Sequence, residues 1–138
     1  MLTNLKKDLK RDEGFRSRPY KDSVGVTTIG YGHNLEAEGL CEEALSVQLD
    51  YDIRTKAVEP LDRNLPWWRE QPEDVQRVLA NLMFNLGPLR LLKFRQTLKF
   101  IELGQYKAAA DSLLKTLYAR QVGQRAYRLA MLLRNVVK

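Results

Sequence analysis

Residues 12–35 read DEGFRSRPYKDSVGVTTIGYGHNL, and the hydrophobic period of the chain changes within this stretch. Ahead of it, Leu2, Leu5 and Leu9 recur on one helical face, which predicts a short amphipathic helix over residues 3–12. Inside it, a proline and several glycines interrupt a run rich in Val, Thr, Ile and Tyr, a composition typical of short strands and tight turns. We therefore expect one helix followed by a small β unit.

A helical period returns after the β unit. Leu45, Leu49 and Ile53 are spaced by four residues, and we expect Pro60 to end the helix that carries them. An irregular connector with two tryptophans follows. Beyond it, helices are predicted over residues 72–87, 90–103, 105–118 and 124–136. The first of these has an apolar stripe of six residues, Val75, Val78, Leu79, Leu82, Met83 and Leu86.

The order of these elements indicates an α+β fold, in which a small N-terminal β unit with tight turns is joined by a long helix to a mainly helical C-terminal lobe. We expect a single domain over residues 1–138. Its parts would be a β-containing lobe (13–40), a connecting helix (41–59) and a helical lobe (60–138) that packs with the first helix (1–12).

Charge is distributed unevenly along the 138 residues, whose composition is otherwise that of a globular protein. The net charge is +6, yet residues 1–60 carry a net −2 and residues 61–138 a net +8. Such asymmetry favours a polyanionic partner: nucleic acid, an anionic membrane or a bacterial envelope polymer. No apolar run approaches the roughly 20 residues of a membrane span, and the first 15 residues have no apolar signal core. We therefore expect the chain to remain in the cytosol until something releases it.

Cys41 is the single cysteine, and His33 is the single histidine. An internal disulfide is excluded, and the pair cannot complete a zinc site. We expect Cys41 to be a buried, inert thiol that caps the following helix poorly. Nothing in the sequence indicates a metal or organic cofactor.

Three polar residues of the opening stretch are candidates for catalysis. Glu13 is expected at the end of the first helix, Asp22 in a turn between strands and Thr28 on a strand. Two carboxyl groups across a cleft can hydrolyse a glycosidic bond, one as an acid and the other as a base or nucleophile. From residue type and spacing alone, the simpler interpretation is that Glu13 is a solvated helix-end residue and that Asp22 is a turn former.

The complete motif resembles the active-site segment of phage-type lysozymes, the endolysin family of glycoside hydrolases. That family shows Glu-Gly, Tyr-x-Asp and Gly-x-x-Thr-Ile-Gly-x-Gly-His, which match residues 13–14, 20–22 and 25–33 without a gap. More loosely, residues 74–89 resemble the central helix of the family, and residues 123–129 resemble its closing Arg-rich helix. The resemblance implies a lysozyme-like fold with the active site in the β-containing lobe.

The resemblance also implies a reaction, the cleavage of the β-1,4 bond between N-acetylmuramic acid and N-acetylglucosamine in peptidoglycan. Glu13 would be the general acid, Asp22 would position or deprotonate the attacking water, and Thr28 would orient that water. The best-studied members invert the anomeric centre. We expect Thr27 to face the other side of the strand and to matter less.

Supporting roles are implied for three further residues. The family histidine that matches His33 is structural and pairs with an acid of the following helix, which aligns with Asp50, or alternatively with Asp52. Arg125 matches an arginine that reaches back to the catalytic glutamate, although a solvated position on a basic helix is an equal alternative.

Substrate contacts are implied for Phe84 and Asn85, where the family lines its sugar groove, and for Thr97 and Ser112. Core packing is a close alternative for Phe84, which lies near the apolar stripe. The short segment 34–41 departs from the best-known members, which have a longer insert there. We therefore expect a reduced β lobe and a different wall of the groove.

The biological hypothesis that follows is a monomeric endolysin of a phage or prophage. It would stay in the host cytoplasm until lysis, be released by a separate holin that it does not contact, and then act on the cell wall from the periplasm. One alternative is a virion-associated lytic transglycosylase, although that enzyme has no need of Asp22. Another is a basic helical domain that binds nucleic acid or glycan, with Arg90, Lys93, Arg95 and Lys99 contacting phosphates.

Overall fold

The computed structural model describes residues 1–137, which form two compact units, one of residues 1–47 and one that begins at Gln48. The first unit holds a three-stranded antiparallel sheet and the second is helical. The prediction of an α+β fold with a small N-terminal β unit is therefore confirmed. Within residues 1–137, no helix is long and apolar enough to cross a membrane.

Unit 1 begins with a helix and continues into the sheet. Its elements are α1 (Leu2–Glu13), β1 (Arg16–Lys21), β2 (Thr27–Gly30), β3 (His33–Asn34), the one-turn helix α2 (Leu35–Glu38) and the start of α3 (Glu42–Ile53).

Gly14 ends α1, because its backbone has a φ of 70°, a left-handed conformation that glycine adopts without steric cost. Its N–H donates to the carbonyl of Lys10, which closes the last turn. Glu13 therefore becomes the last residue of the helix, as the sequence predicted.

The strands are ordered β1-β2-β3, and each neighbouring pair is antiparallel. Arg16 pairs with Gly30 and Tyr20 with Thr28, so β1 has two more residues than β2 between these pairs. Pro19 lies in that irregular section, where its missing N–H removes no regular ladder bond.

The regular elements that the structure describes in unit 2 are all helices. It contains the end of α3, a π-helical turn (Arg54–Val58), α4 (Glu59–Asn64), a 3₁₀ helix (Pro66–Glu70), α5 (Glu73–Leu86), α6 (Pro88–Leu91), α7 (Arg95–Glu102), α8 (Tyr106–Leu114), α9 (Leu117–Val122) and α10 (Gln124–Arg134).

Pro60 does not end the long helix, so this prediction was wrong. The helix continues to Asn64, and Pro60 lies in the first turn of α4, where a missing N–H is tolerated. Just before it, the N–H of Glu59 donates to the carbonyl of Arg54, five residues back. This widened π turn shifts the hydrogen-bond pattern at the point where the proline would otherwise break it.

Two of the predicted C-terminal helices are each divided in two. The one expected over residues 90–103 is α6 and α7, and the one expected over residues 105–118 ends at Leu114. Thr116 then caps α9 by accepting a hydrogen bond from the N–H of Ala119 at 3.1 Å. The connector with two tryptophans, which was expected to be irregular, is also mostly helical and forms part of α4 and the 3₁₀ helix.

The core of unit 2 is centred on α5, and all six residues of its predicted apolar stripe are buried. Beside this core, the indole N–H of Trp68 donates to Oδ1 of Asp62 at 2.7 Å. Arg69 donates to both carboxylate oxygens of Asp62, at 2.8 and 2.9 Å. These hydrogen bonds lower the pKa of Asp62 to about 2, and the bond from Arg69 has the largest effect.

Cys41 is exposed, so the expectation of a buried thiol was wrong. Its Sγ accepts a hydrogen bond from the N–H of Ala44 at 3.4 Å, the contact that an N-cap side chain makes with the third helical residue. The thiol therefore does cap α3, in place of a serine or threonine.

Candidate active site

The carboxyl group of Glu13 lies against the backbone of Gly32, in the turn between β2 and β3. A Cβ on Gly32 would lie 3.0 Å from Cδ of Glu13 and closer still to its Oε2. Only a residue without a side chain allows this approach, and the φ of 73° at Gly32 also favours glycine. The last glycine of the Gly-x-Gly-His motif therefore makes room for the candidate acid.

Asp22 organises the turn between β1 and β2 with one of its two carboxylate oxygens. Oδ1 accepts hydrogen bonds from the N–H groups of Val24 at 2.9 Å and Val26 at 2.8 Å. The backbone of Asp22 adds bonds to Val26 and Gly25, both of 3.0 Å. Oδ2 accepts no hydrogen bond from residues 1–137, so it is available to water or substrate.

Thr28 is buried on β2, with 4% of its surface exposed. Its hydroxyl donates to the carbonyl of Val26 at 2.9 Å, which commits the proton and leaves the oxygen able to accept. Thr27 accepts a hydrogen bond from Nζ of Lys21 at 2.7 Å, and successive strand residues face opposite sides.

Val26 connects the two candidate residues through its backbone. Its N–H donates to Asp22, and its carbonyl accepts from Thr28. One residue thus holds the Asp22 carboxylate, whose Oδ2 stays available as an acceptor, and the Thr28 hydroxyl, whose oxygen can still accept. Each of these two oxygens can accept a hydrogen from water.

His33 contacts the segment that follows it in unit 1. Nε2 lies 2.5 Å from the carbonyl oxygen of Gly39, and Nδ1 lies 3.6 Å from Oε2 of Glu38. These contacts hold β3 and α2 together beside the turn that contains Gly32. Asp52 contacts Gln48 and Lys56. The pairing of His33 with Asp50 or Asp52 stays a prediction.

Arg125 lies on α10 in unit 2 and binds Asn81 of α5. Its Nε and Nη2 both donate to Oδ1 of Asn81, at 3.0 and 2.8 Å. The side chain is therefore bound to a neighbouring helix at the surface of unit 2. Its reach towards Glu13 stays a prediction.

Phe84 is half-buried and lines an open groove of unit 2 together with Asn81 and Arg125. The ammonium group of Lys56 lies 5.8 Å from the centre of its ring. Asn85, the next residue, is exposed. The ring is thus not part of the closed core, and both residues are accessible to a ligand.

Thr97 and Ser112 join α7 to α8 through a hydrogen bond of 2.7 Å between their hydroxyl oxygens. Thr97 is 2% exposed, whereas Ser112 is half-buried. Both residues line a second groove of unit 2. Within residues 1–137, His, Cys, Asp and Glu side chains form no group of three or more that could hold a metal ion.

Sequence reasoning did not assign roles to Val26, Gly32 or Glu38. Val26 acts through its backbone, which residue type does not reveal. For Gly32 a signal was present, because a glycine inside a strand-and-turn motif often marks a close backbone approach. Glu38 lies close to His33 in the sequence, and this proximity could have identified it as a candidate partner of the histidine.

Comparison with known proteins gives consistent matches. A family model described as phage lysozyme matches residues 10–134. The chain is 34% identical to the endolysin of Salmonella phage P22, over 77% of its own length and 75% of that protein. It is 26% identical to the probable T4-type lysozyme 2 of Dictyostelium discoideum, over 93% and 92%. It is 30% identical to the SAR-endolysin of bacteriophage PS119, over 78% and 64%.

Proposed function

We propose that this chain, which belongs to the phage lysozyme family and is therefore a peptidoglycan hydrolase, cleaves the β-1,4 bond between N-acetylmuramic acid and N-acetylglucosamine. Residues 13–33 predicted this family. Glu13, Asp22 and Thr28 carry the reaction in this proposal. The observation that supports it best is the backbone of Val26, which holds the Asp22 carboxylate and the Thr28 hydroxyl with their free acceptor sites.

Asp22 and Thr28 act on the attacking water. One hydrogen of the water is donated to Oδ2 of Asp22, which removes the proton as the bond to the anomeric carbon forms. The other hydrogen is donated to Oγ1 of Thr28, whose own proton is held by the carbonyl of Val26. With both hydrogens fixed, a lone pair of the water oxygen is directed at the sugar.

Glu13 acts on the leaving group. Its carboxylic acid donates a proton to the glycosidic oxygen while the bond to the anomeric carbon breaks, so no alkoxide is released. The close fit of Gly32 restricts the positions that this carboxyl group can take. If the reaction inverts the anomeric centre, Glu13 and Asp22 need a separation of roughly 6.5–9.5 Å to admit the water.

The sugar-binding roles of Phe84, Asn85, Thr97 and Ser112 stay part of the proposal, as do the supporting roles of His33, Asp50 and Arg125. We also propose the biological setting of an endolysin. The protein would be held in the host cytoplasm until a holin opens the membrane, and it would act as a monomer on the wall.

The test is the loss of turbidity of Gram-negative cells with permeabilised outer membranes, combined with mass spectrometry of the released muropeptide ends. Glu13→Gln keeps the size of the side chain and removes the acid. We expect its rate to fall by about 10²–10⁴-fold. Asp12→Asn is the matched control, because Asp12 is the neighbouring exposed acid of α1 and binds only Arg11 among residues 1–137.

Reducing muramic acid ends released by the wild type and by Asp12→Asn, but not by Glu13→Gln, would support the proposal. Anhydro-muramic ends would mean a lytic transglycosylase and would remove the role of Asp22. Equal activity of Glu13→Gln and the wild type would refute Glu13 as the acid.

A further inference from the structure

Tyr31 is the only residue with a side chain among residues 30–32, the turn that lies against the Glu13 carboxyl group. Its two neighbours are glycines with left-handed backbones, with a φ of 68° at Gly30 and of 73° at Gly32. Glycine has more conformational freedom than any other residue, so neither glycine fixes the turn by itself. The position of Gly32 therefore depends on the strand pairing on either side of the turn and on the contacts of the Tyr31 side chain.

The ring of Tyr31 packs against the ring of Phe15, with centroids 5.0 Å apart and planes tilted by 40°. Aromatic rings attract one another at such separations when they are not stacked face to face. Phe15 comes two residues after Glu13 and directly before β1, whose first residue, Arg16, pairs with Gly30. The ring contact is thus the next cross-strand pair after the last backbone pair, and it lies on the side of Glu13.

A second contact joins Tyr31 to α1. Nζ of Lys10 lies 5.4 Å from the centre of the Tyr31 ring, which is within the range of a cation–π interaction. Lys10 precedes Glu13 by three residues, and its carbonyl accepts the hydrogen bond from Gly14 that closes α1. Lys10, Glu13 and Tyr31 also line one open groove of unit 1. The ring of Tyr31 therefore contacts the chain both before and after Glu13.

We propose that Phe15 and Tyr31 are positioning residues for the acid, because their ring contact holds Gly32 against the Glu13 carboxyl group. The inference rests on the proposed function in so far as Glu13 is the proton donor. Without the contact the turn is released, and the carboxyl group gains positions from which it does not reach the glycosidic oxygen. A misplacement of about 1 Å can lower a rate by roughly 10²-fold, so a small movement of the turn is enough to affect the reaction.

The first test follows the position of Glu13 without substrate, in NMR spectra of the full-length protein. A Cβ on Gly32 would lie 3.4 Å from Cγ of Glu13, so an Hα proton of Gly32 should give a nuclear Overhauser effect to the Hγ protons of Glu13. An aromatic pair favours one arrangement over others by a factor of about two to ten. We therefore expect Tyr31→Ala and Phe15→Ala to weaken this signal about twofold or more.

Two further variants are expected to keep the signal of the wild type. Tyr31→Phe retains the ring, and the lost hydroxyl group has no hydrogen-bond partner within residues 1–137. Tyr51→Ala is the matched control, because Tyr51 is a tyrosine of similar exposure, 54% against 45%, in unit 2. It also has a cation, that of Arg54, 5.0 Å from its ring centre. Tyr31→Leu, which keeps an apolar side chain, replaces Tyr31→Ala if the alanine variant does not fold.

The second test measures the hydrolysis of purified peptidoglycan. We expect Tyr31→Ala to lower kcat about two- to tenfold with little change in KM, because the rings hold the acid and do not bind the sugar. In the Glu13→Gln background the same substitution should lower the residual rate no further, because its effect passes through the Glu13 carboxyl group.

Loss of signal and of rate in Tyr31→Ala and Phe15→Ala, with Tyr31→Phe and Tyr51→Ala like the wild type, supports the inference. An unchanged signal in Tyr31→Ala would overturn it, as would a weakened signal with an unchanged rate, an equal effect of Tyr51→Ala, or a further loss of rate in the Glu13→Gln background. A weakened signal beside full activity of Glu13→Gln would support the contact that positions the side chain and refute Glu13 as the acid.

Discussion

Gly32 lies so close to Glu13 that a Cβ on Gly32 would overlap the glutamate carboxyl group. The glycine is in the turn after β2 and the glutamate ends α1, so the sheet and the first helix meet at the proposed acid. Within unit 1, this approach ties the position of Glu13 to the conformation of one turn.

We therefore expect Gly32→Ala to reduce activity at least tenfold, because the new methyl group displaces the Glu13 carboxyl. The backbone of Gly32 is also left-handed, and alanine there costs about 1–2 kcal/mol. Gly123→Ala is the control, because Gly123 has a left-handed φ of 57° with open space around it. Both variants should lose stability in urea unfolding, and only Gly32→Ala should lose activity. Full activity of Gly32→Ala would contradict the positional role.

Oδ1 of Asp22 stabilises the turn, and we propose that Oδ2 takes part in the reaction. Two substitutions separate these two roles. Asp22→Asn retains an oxygen that accepts from Val24 and Val26, so stability should stay near that of the wild type while activity is lost. Asp22→Ala removes both bonds and should cost about 1–2 kcal/mol as well. Urea unfolding and turbidity assays measure the two effects. Similar destabilisation by both variants would show that the charge, and not the acceptor, holds the turn.

Tyr118 carries a buried hydroxyl that has no hydrogen-bond partner among residues 1–137. Burial raises its pKa, partly offset by Arg125 and Arg90. We expect Tyr118→Phe to leave the free energy of unfolding unchanged or to raise it by up to about 1 kcal/mol, because an unpaired hydroxyl is removed. Tyr106→Phe is the contrast, since the Tyr106 hydroxyl donates to Gln71 at 2.7 Å and its loss should cost about 1 kcal/mol. Destabilisation of equal size in both would indicate a bound water at Tyr118.

Asp62 makes stability depend on pH in the acid range. Its pKa is lowered from 3.8 to about 2 by Arg69 and Trp68. A lowered pKa means that the carboxylate stabilises the fold above pH 4, and that this contribution is lost as the pH falls from about 4 to 2. The melting temperature of the wild type should thus exceed that of Asp62→Asn at pH 6, and the difference should shrink towards pH 2. A constant difference across this range would contradict the assignment.

The sequence predicted the elements whose cause is local. Glu13 at a helix end, Asp22 in a turn and Thr28 on a strand follow from glycine positions and residue composition, and all three are found there. The buried stripe of α5 followed from its period. What the sequence did not reveal depends on backbone groups, such as the two bonds that Val26 makes to the candidate residues.

The structure differs from other expectations where a local contact outweighs the average behaviour of a residue type. Cysteine is a buried residue type on average, yet Cys41 is exposed because it occupies a helix cap. His33 contacts Glu38 and Gly39 because α2 folds back as a single helical turn, whereas only a shortened segment 34–41 was expected there.

The π turn before Pro60 has a consequence for tolerance to insertions and deletions. A π turn holds one residue more than the α-helical turn it replaces within nearly the same rotation about the helix axis, so it absorbs an extra residue locally. Deleting a residue between Arg54 and Val58 would therefore leave Leu61 and Leu65 facing the core they now fill. It would restore the α-helical hydrogen-bond pattern in front of Pro60, however, and set the proline ring against a helical carbonyl. The extra residue of this turn is therefore constrained by the proline that follows it and not by the leucines.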